Sequence, residues 1–254
     1  MDSITVLQTG YHKEDAGIFF GGVPWASYRQ WADIGLSKTH MVKVPSNVLL
    51  LQMQNKNILI DAGFGNQHQS EDYYDYSPDT LQKRLRDQGM LNKEIDLIII
   101  TSPDRTHWGG IGRMRDDGSY WKRFRHAHII TVPPGDDEGL LLDKTKYEWE
   151  LLTSGCIMPG LECLRVNGNA IITGTIGGEH IAYLGDICPT VWHMLAPICN
   201  DARDNHRGDT IRAKEEAIRD SLDRGSLVVF AHGGEVKGGY LERTREGIGF
   251  RSVL

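Results

Sequence analysis

Short apolar runs recur along the chain, each closed by a polar or glycine-bearing turn. Runs of this length, rich in β-branched residues, predict strands. ITVLQ (4–8) and GIFFGGV (17–23) are two such runs. SNVLLLQMQ and NILIDAG flank the turn-like Asn55-Lys56-Asn57 and predict a hairpin. IDLIIIT (95–101) is almost uniformly apolar, as expected of a strand covered on both faces. HIITV (128–132) predicts another strand, and His126 and His128 alternate along it as on one face of an edge strand. LECLRV, AIITGTI, HIAYLGD and SLVVFAH follow, and the glycine-rich VKGGYLERTREGIGFRSV predicts a terminal hairpin.

Helical periodicity is confined to a few segments. SPDTLQKRLRDQG has Ser77 as N-cap, Pro78 in the first turn, an i, i+4 pair in Leu81 and Leu85, and Gly89 as terminator. IRAKEEAIRDSLDRG places Ile211, Ile218 and Leu222 on one face and ends at Gly225. DKTKYEWELL (143–152) predicts a short helix. Strands with a few interspersed helices, without regular βαβ alternation, fit two face-to-face sheets with helices outside.

Composition narrows the class. The 254 residues are 40% hydrophobic and 24% charged, and no Pro/Gly/Ser-rich linker divides them, which predicts one domain over residues 1–254. The net charge of −6 and the absence of a basic run argue against nucleic acid or an anionic membrane as partner. Cys156, Cys163, Cys188 and Cys199 form no C-x-x-C pair and read as reduced thiols. No apolar run approaches the ~20 residues of a membrane span. MDSITVLQTG lacks a basic segment leading into an apolar core, so a cytoplasmic protein is expected.

The chemistry collects at strand ends. His107 follows IIITSPDRT, Asp186 follows IAYLG and His232 follows LVVFA, while Asp61 closes NILIDAG. Two histidines and a carboxylate can form a facial triad for a divalent ion. A lone His or Asp after a strand is also an ordinary turn residue. The stretch NDARDNHRGDT (200–210) is rich in Asp and His but lacks ligand spacing, and reads as a loop leading into a helix. Phe19, Phe20, Trp25, Tyr28 and Trp31 read either as pocket walls or as core.

These landmarks resemble the metallo-β-lactamase superfamily, in its lactonase- and phosphotriesterase-like branch. GIFFGGVPWASY, NILIDAGFGN, IDLIIITSPDRTHWGGIGRM, IGGEHIAYLGDICPTVWHM and LVVFAH match family segments in the family's order and cover nearly the whole chain. The resemblance implies a four-layer αββα sandwich with its site along one sheet edge. It also implies where two metals would sit. The motif His-x-His-x-Asp-His falls on Ser102, Asp104, Thr106 and His107. The later histidine of the first site falls near LRVNGN, on Arg165 or Asn169. The bridging aspartate and terminal histidine fall on Asp186 and His232. The first metal site is thus dismantled, and the second keeps His107, Asp186 and His232.

The resemblance therefore implies an enzyme acting on a small molecule, with no dinuclear centre and at most one divalent ion, zinc or iron. The leading expectation is hydrolysis of an ester or lactone, with Asp104, His107, Asp186 and His232 as catalytic residues. Ser102, Thr106, Arg165, His193, Phe20 and Trp25 are the expected substrate-binding residues, although His193 reads equally as structural. A second reading is a metal-free biosynthetic lyase, decarboxylase, cyclase or isomerase, in which Arg165 holds an anionic substrate. A third is a ligand-binding protein without catalysis. The sequence leaves oligomeric state open.

Overall fold

The computed structural model describes residues 2–31, 37–65, 73–74, 80–115, 117, 119–133, 147–245 and 247–254, with residues 73–74 described as backbone. In chain order the strands are β1 (Ser3–Asp15), β2 (Met41–Met53), β3 (Lys56–Ile60), β4 (Tyr73–Tyr74), β5 (Leu97–Ile100), β6 (Gly112–Met114), β7 (Tyr120–Lys122) and β8 (His128–Thr131). They continue as β9 (Trp149–Leu151), β10 (Gly155–Met158), β11 (Leu161–Val166), β12 (Asn169–Ile176), β13 (Glu179–Tyr183), β14 (Leu227–Val229), β15 (Gly238–Thr244) and β16 (Gly247–Ser252). One sheet runs β4-β1-β2-β3-β5-β8-β9, a second β10-β11-β12-β13-β14-β15-β16, and β6-β7 form a small ribbon.

Alternation on β2 shows how the layers are built. Leu49, Leu51 and Met53 face the second sheet and pack with Leu161, Ile172, Ile181 and Val229. Leu50 faces the other way and packs, with Ile98 and Ile100, under Leu81 and Leu85 of the helix Thr80–Asp87. Ile171, Ala182 and Val228 on the outer face of the second sheet pack against Ala213 and Ile218 of the helix Arg207–Arg224. The result is helix, sheet, sheet, helix. That long helix stops where Gly225 takes a left-handed φ of 64° and returns its N–H to Ser221.

Several sequence expectations change. GIFFGGV is not a strand: Asp15 caps a helical turn, Ala16–Phe19, by accepting from the N–H groups of Gly17 and Ile18 (2.8 and 3.0 Å). The strand expected over 4–8 runs on to Asp15 because a bulge between Gln8 and Gly10 restores its pairing with β2. In DKTKYEWELL the described residues 147–152 hold a strand, Trp149–Leu151, paired in parallel with β8; a sheet edge overrides helical propensity there. β8 is consequently an interior strand, between β5 and β9, and His126 lies before it. The expected cap Ser77-Pro78 lies outside the described residues.

Candidate functional site

Both sheets direct polar residues to one edge. After β5 the chain turns through Ser102 and Asp104 into a short helix, Arg105–Trp108, whose N-cap is Asp104 accepting from Thr106 N–H (2.8 Å). Trp108 is fully buried and its indole N–H donates to Pro103 O (3.0 Å), anchoring this turn. The following Gly109-Gly110 pair lies against residues 62–65, where a Cβ on Gly109 would overlap the Phe64 carbonyl. That close approach explains the two glycines. After β13, Asp186 sits in a tight turn, Gly185–Ile187, entered through Gly185 at φ 52°. His232 follows β14, its N–H bonded to Pro189 O (3.0 Å). Asn47 joins the two edges: its amide donates to Phe230 O (3.0 Å) and Gly233 O (2.8 Å).

The three strand-end residues converge. His107 Nε2 lies 3.0 Å and His232 Nε2 3.1 Å from the same oxygen, Asp186 Oδ1. One ligand atom from each falls within 4.8 Å of the others. The far side of each ring is held. His232 Nδ1 lies 2.7 Å from Pro45 O, which can only accept, so Nδ1 carries the hydrogen. His107 Nδ1 lies 2.7 Å from Asp61 Oδ2. Asp61, buried at a left-handed φ of 64°, also receives Thr101 N–H (2.8 Å), the Thr101 hydroxyl (2.8 Å to Oδ2) and the Tyr183 hydroxyl (2.7 Å). Such partners on the far nitrogen fix the tautomer and aim of a metal-binding histidine.

The neighbouring charges are strong. Burial opposes a charged His107, yet the carboxylates of Asp186 and Asp61 hold its pKa well above the ordinary value. Burial likewise opposes the Asp186 carboxylate, while His107 and then His232 hold it well below the carboxylate range. Burial, with Asp61 beside it, keeps Tyr183 protonated far above its usual pKa, so it remains a donor. Asp186 Oδ2 accepts the Ser102 hydroxyl at 2.7 Å. Asp186 is 29% exposed and opens into a cavity of about 500 Å3.

That cavity sorts the remaining candidates. Ser102, Asp104, Thr106 and His193 line it together with Asp186 and His232, while His107 lies behind the carboxylate, 1% exposed. Asn169 lines it and Arg165 does not; Arg165 receives no place at the site, its N–H bonding Ser154 Oγ (3.0 Å) on the strand β11. His193 is a buried neutral histidine, its ring between Phe19 O (2.9 Å) and the Thr190 hydroxyl (2.8 Å). Burial, and next Lys214, lower its pKa to about 3. Phe20 is buried and stacks on His193 and Tyr28 behind the wall, and Trp25 is 41% exposed and away from the cavity.

Two features of the cavity escape the sequence pattern. His12, on β1 past the bulge, lines it with its ring 5.9 Å from that of His232, and burial, then His232, lower its pKa to about 3. The only trace in the sequence is the continued alternation of YHKED beyond ITVLQ. The loop over 200–206, read above as a plain connection, forms a whole wall. Nothing local in its spacing marks that placement.

No family model matches the chain, and no curated protein matches its sequence. Solved structures do resemble it. A probable metal-dependent hydrolase from Staphylococcus aureus is 24% identical, with a TM-score of 0.82 over 100% of this chain and 98% of that one. AidC, a dizinc quorum-quenching lactonase seen with a product, is 14% identical with a TM-score of 0.81, over 100% and 95%. AbOPH, a hydrolase in the beta lactamase superfamily, is 14% identical with a TM-score of 0.78, over 100% and 94%.

Proposed function

We propose that this chain, which has the metallo-β-lactamase fold, hydrolyses a small ester or lactone with a single divalent ion held by His107, Asp186 and His232. The observation that carries this reading is the convergence of two imidazole Nε2 atoms on one carboxylate oxygen (3.0 and 3.1 Å). With Nδ1 of each ring engaged by Asp61 or Pro45, two lone pairs and an anionic oxygen face one point, and a cation is needed there. Two imidazoles and a carboxylate suit zinc or ferrous iron. When bound, such an ion supplies Lewis acidity toward a carbonyl and acidifies water.

The chain's own residues do the rest. Asp104 lines the same cavity and is placed to accept a proton from water there. Its backbone is fixed by the cap it provides, so the carboxylate works from a rigid turn. Ser102 holds Asp186 in orientation from the other oxygen. Ser102, Asp104 and Asn169 in place of imidazoles disfavour a second site.

One observation favours a second reading. The trio can also be closed by a proton: a charged His107 donates to Asp61 and to Asp186 at once (2.7 and 3.0 Å). Such a pocket could perform acid/base chemistry, as in a lyase or isomerase, without an ion. Proton release from a panel of lactones and esters, followed before and after chelation, separates the two. The hydrolase reading expects turnover that chelation abolishes and added zinc or iron restores. Turnover indifferent to chelation supports the metal-free enzyme and contradicts the proposal.

A further inference from the structure

The bulge in β1 decides which side chain reaches the trio. Gln8 pairs with Asn47 and Gly10 with Ser46, so Thr9 is an extra residue. Past it, Tyr11 stands opposite Pro45 and His12 opposite Val44. Without the extra residue, Tyr11 would oppose Val44, which lines the cavity, and His12 would turn to the other face. As built, Tyr11 meets Lys43, whose ammonium lies 3.7 Å from its ring centre, and His12 lines the cavity. Bulges beside active sites re-aim side chains in this way.

His12 is wedged in place. Its ring stands edge-on between Phe64 (centroids 5.5 Å apart, 78°) and His232 (5.9 Å, 81°). Nδ1 is buried, so the ring meets the cavity with its Nε2 side. Asp104, Asp186, His107 and His232 all act on it electrostatically, which puts the ring in front of both the proposed base and the proposed ligands. Burial, and next His232, keep it neutral. Such a ring is a poor base at neutral pH, but a neutral imidazole N–H polarises a carbonyl.

Hydrolysis calls for that kind of donor. Attack of water turns the carbonyl oxygen into an oxyanion, and N–H or O–H groups aimed at it lower the barrier. Other donors around the cavity are committed. The Ser102 hydroxyl goes to Asp186 (2.7 Å), and the His193 Nε2–H to Phe19 O (2.9 Å). Arg203 is engaged by Asp201 (2.6 Å) and Glu14 (3.2 Å). Lys214, fully buried under the wall 200–206, donates to Cys199 O and Asn200 Oδ1 (2.6 Å each) and to Pro197 O (3.3 Å), which pins that wall in place. Asn169, on the same lining, is the competing donor.

We propose that His12 is a catalytic residue of this chain, its Nε2–H donating to the substrate's carbonyl oxygen and holding the oxyanion that forms there. The inference rests on the hydrolase reading and adds a group that the trio and Asp104 do not supply. In the step, the water oxygen bonds the carbonyl carbon, its proton passes to Asp104, and the C=O pair moves onto the oxygen facing His12. When that pair returns, the ester C–O bond breaks and the leaving alkoxide takes the proton from Asp104. His12 transfers no proton, and the balance is ester plus water to acid plus alcohol.

Two substitutions test it. His12→Phe keeps an aromatic ring between Phe64 and His232 but removes the donor, and His12→Gln restores one. With p-nitrophenyl butyrate, His12→Phe should lower kcat by about 10²–10³-fold with KM nearly unchanged, the loss seen when one oxyanion donor is removed. His12→Gln should regain part of that loss, and both variants should keep the parent's Tm and metal content. Calorimetry reads the contact without turnover. Methyl butylphosphonate, a tetrahedral anion, should bind His12→Phe at least about tenfold more weakly than the parent, while the planar N-methylbutanamide binds both alike. A weakened phosphonate with an unchanged amide supports the inference even if no ester is cleaved, in which case only the hydrolase reading fails. Phosphonate affinity unchanged in His12→Phe, or weakened only in Asn169→Ala, overturns the inference and leaves the hydrolase reading to the turnover assay. A kcat loss that comes with lost metal also overturns it. Neither cleavage nor phosphonate binding in the parent overturns both.

Discussion

Replacing Asp61 by Asn tests how the site is held together. Asn tolerates the left-handed φ of 64° as readily as Asp does, so backbone strain does not confuse the result. The side chain is nearly isosteric, and what changes is charge and hydrogen-bond polarity. Asp61 is buried and accepts from His107, Tyr183 and Thr101, all at 2.7–2.8 Å. Losing the charge-assisted bond to His107 costs about 1.5–3 kcal/mol, and turning an amide NH2 toward another donor leaves a buried mismatch of about 1–3 kcal/mol. A total near 3–5 kcal/mol, of the size seen when a buried pair is broken, lowers the Tm by roughly 6–20 °C in a chain of this length. His107 also loses the partner that aims its Nε2, so affinity for zinc should fall about 10–100-fold. Thermal unfolding in chelator reads the first effect, and competitive titration with a chromogenic chelator reads the second. A variant with unchanged Tm and zinc affinity within about threefold of the parent would refute the supporting role assigned to Asp61.

Two further outcomes follow from the same contacts. Asp104→Asn preserves the N-cap, since Asn caps as well as Asp, so the protein should fold normally while turnover drops by about 10²–10⁴; full activity would reduce Asp104 to its capping role. His193 titrates near 3 in the fold, against about 6.5 when unfolded. The unfolded chain therefore binds the extra proton first, and this group's stabilisation, full above about 6.5, declines by about 1.4 kcal/mol per pH unit as pH falls toward 3. Denaturant unfolding at pH 7 and pH 5 should show that decline together with a like one from His12, also lowered to about 3, and His193→Gln should remove only its own share of the slope; an unchanged slope would mean that other groups set the acid limit.

The layer order was legible because the uninterrupted apolar runs in LLLQM, IIIT and LVVF report strands covered on both faces. The convergence of His107, Asp186 and His232 was legible for a related reason: each follows such a run, where a rigid strand delivers a side chain to an edge. The errors share a cause in tertiary context. GIFF is apolar enough for a strand, yet Asp15 caps it into a helical turn that packs on Tyr28 and Val44. Trp149–Leu151 adopts strand geometry because β8 offers an edge. Arg165 and Asn169 were alternatives for one position, and a choice between them needs the hairpin register, which sets Arg165 opposite Ala170 and brings Asn169 to the cavity. His12 and the loop 200–206 reach the site only through a bulge and through Lys214, neither of which leaves a local pattern.

The central claim is a single ion in a half-retained site, and the metal content of protein purified without chelator addresses it most directly. Elemental analysis should find one zinc or iron per chain, and near none in His107→Ala and His232→Ala, whereas Asn169→Ala should retain it. Two ions per chain, or one ion that survives both histidine substitutions, would contradict the account.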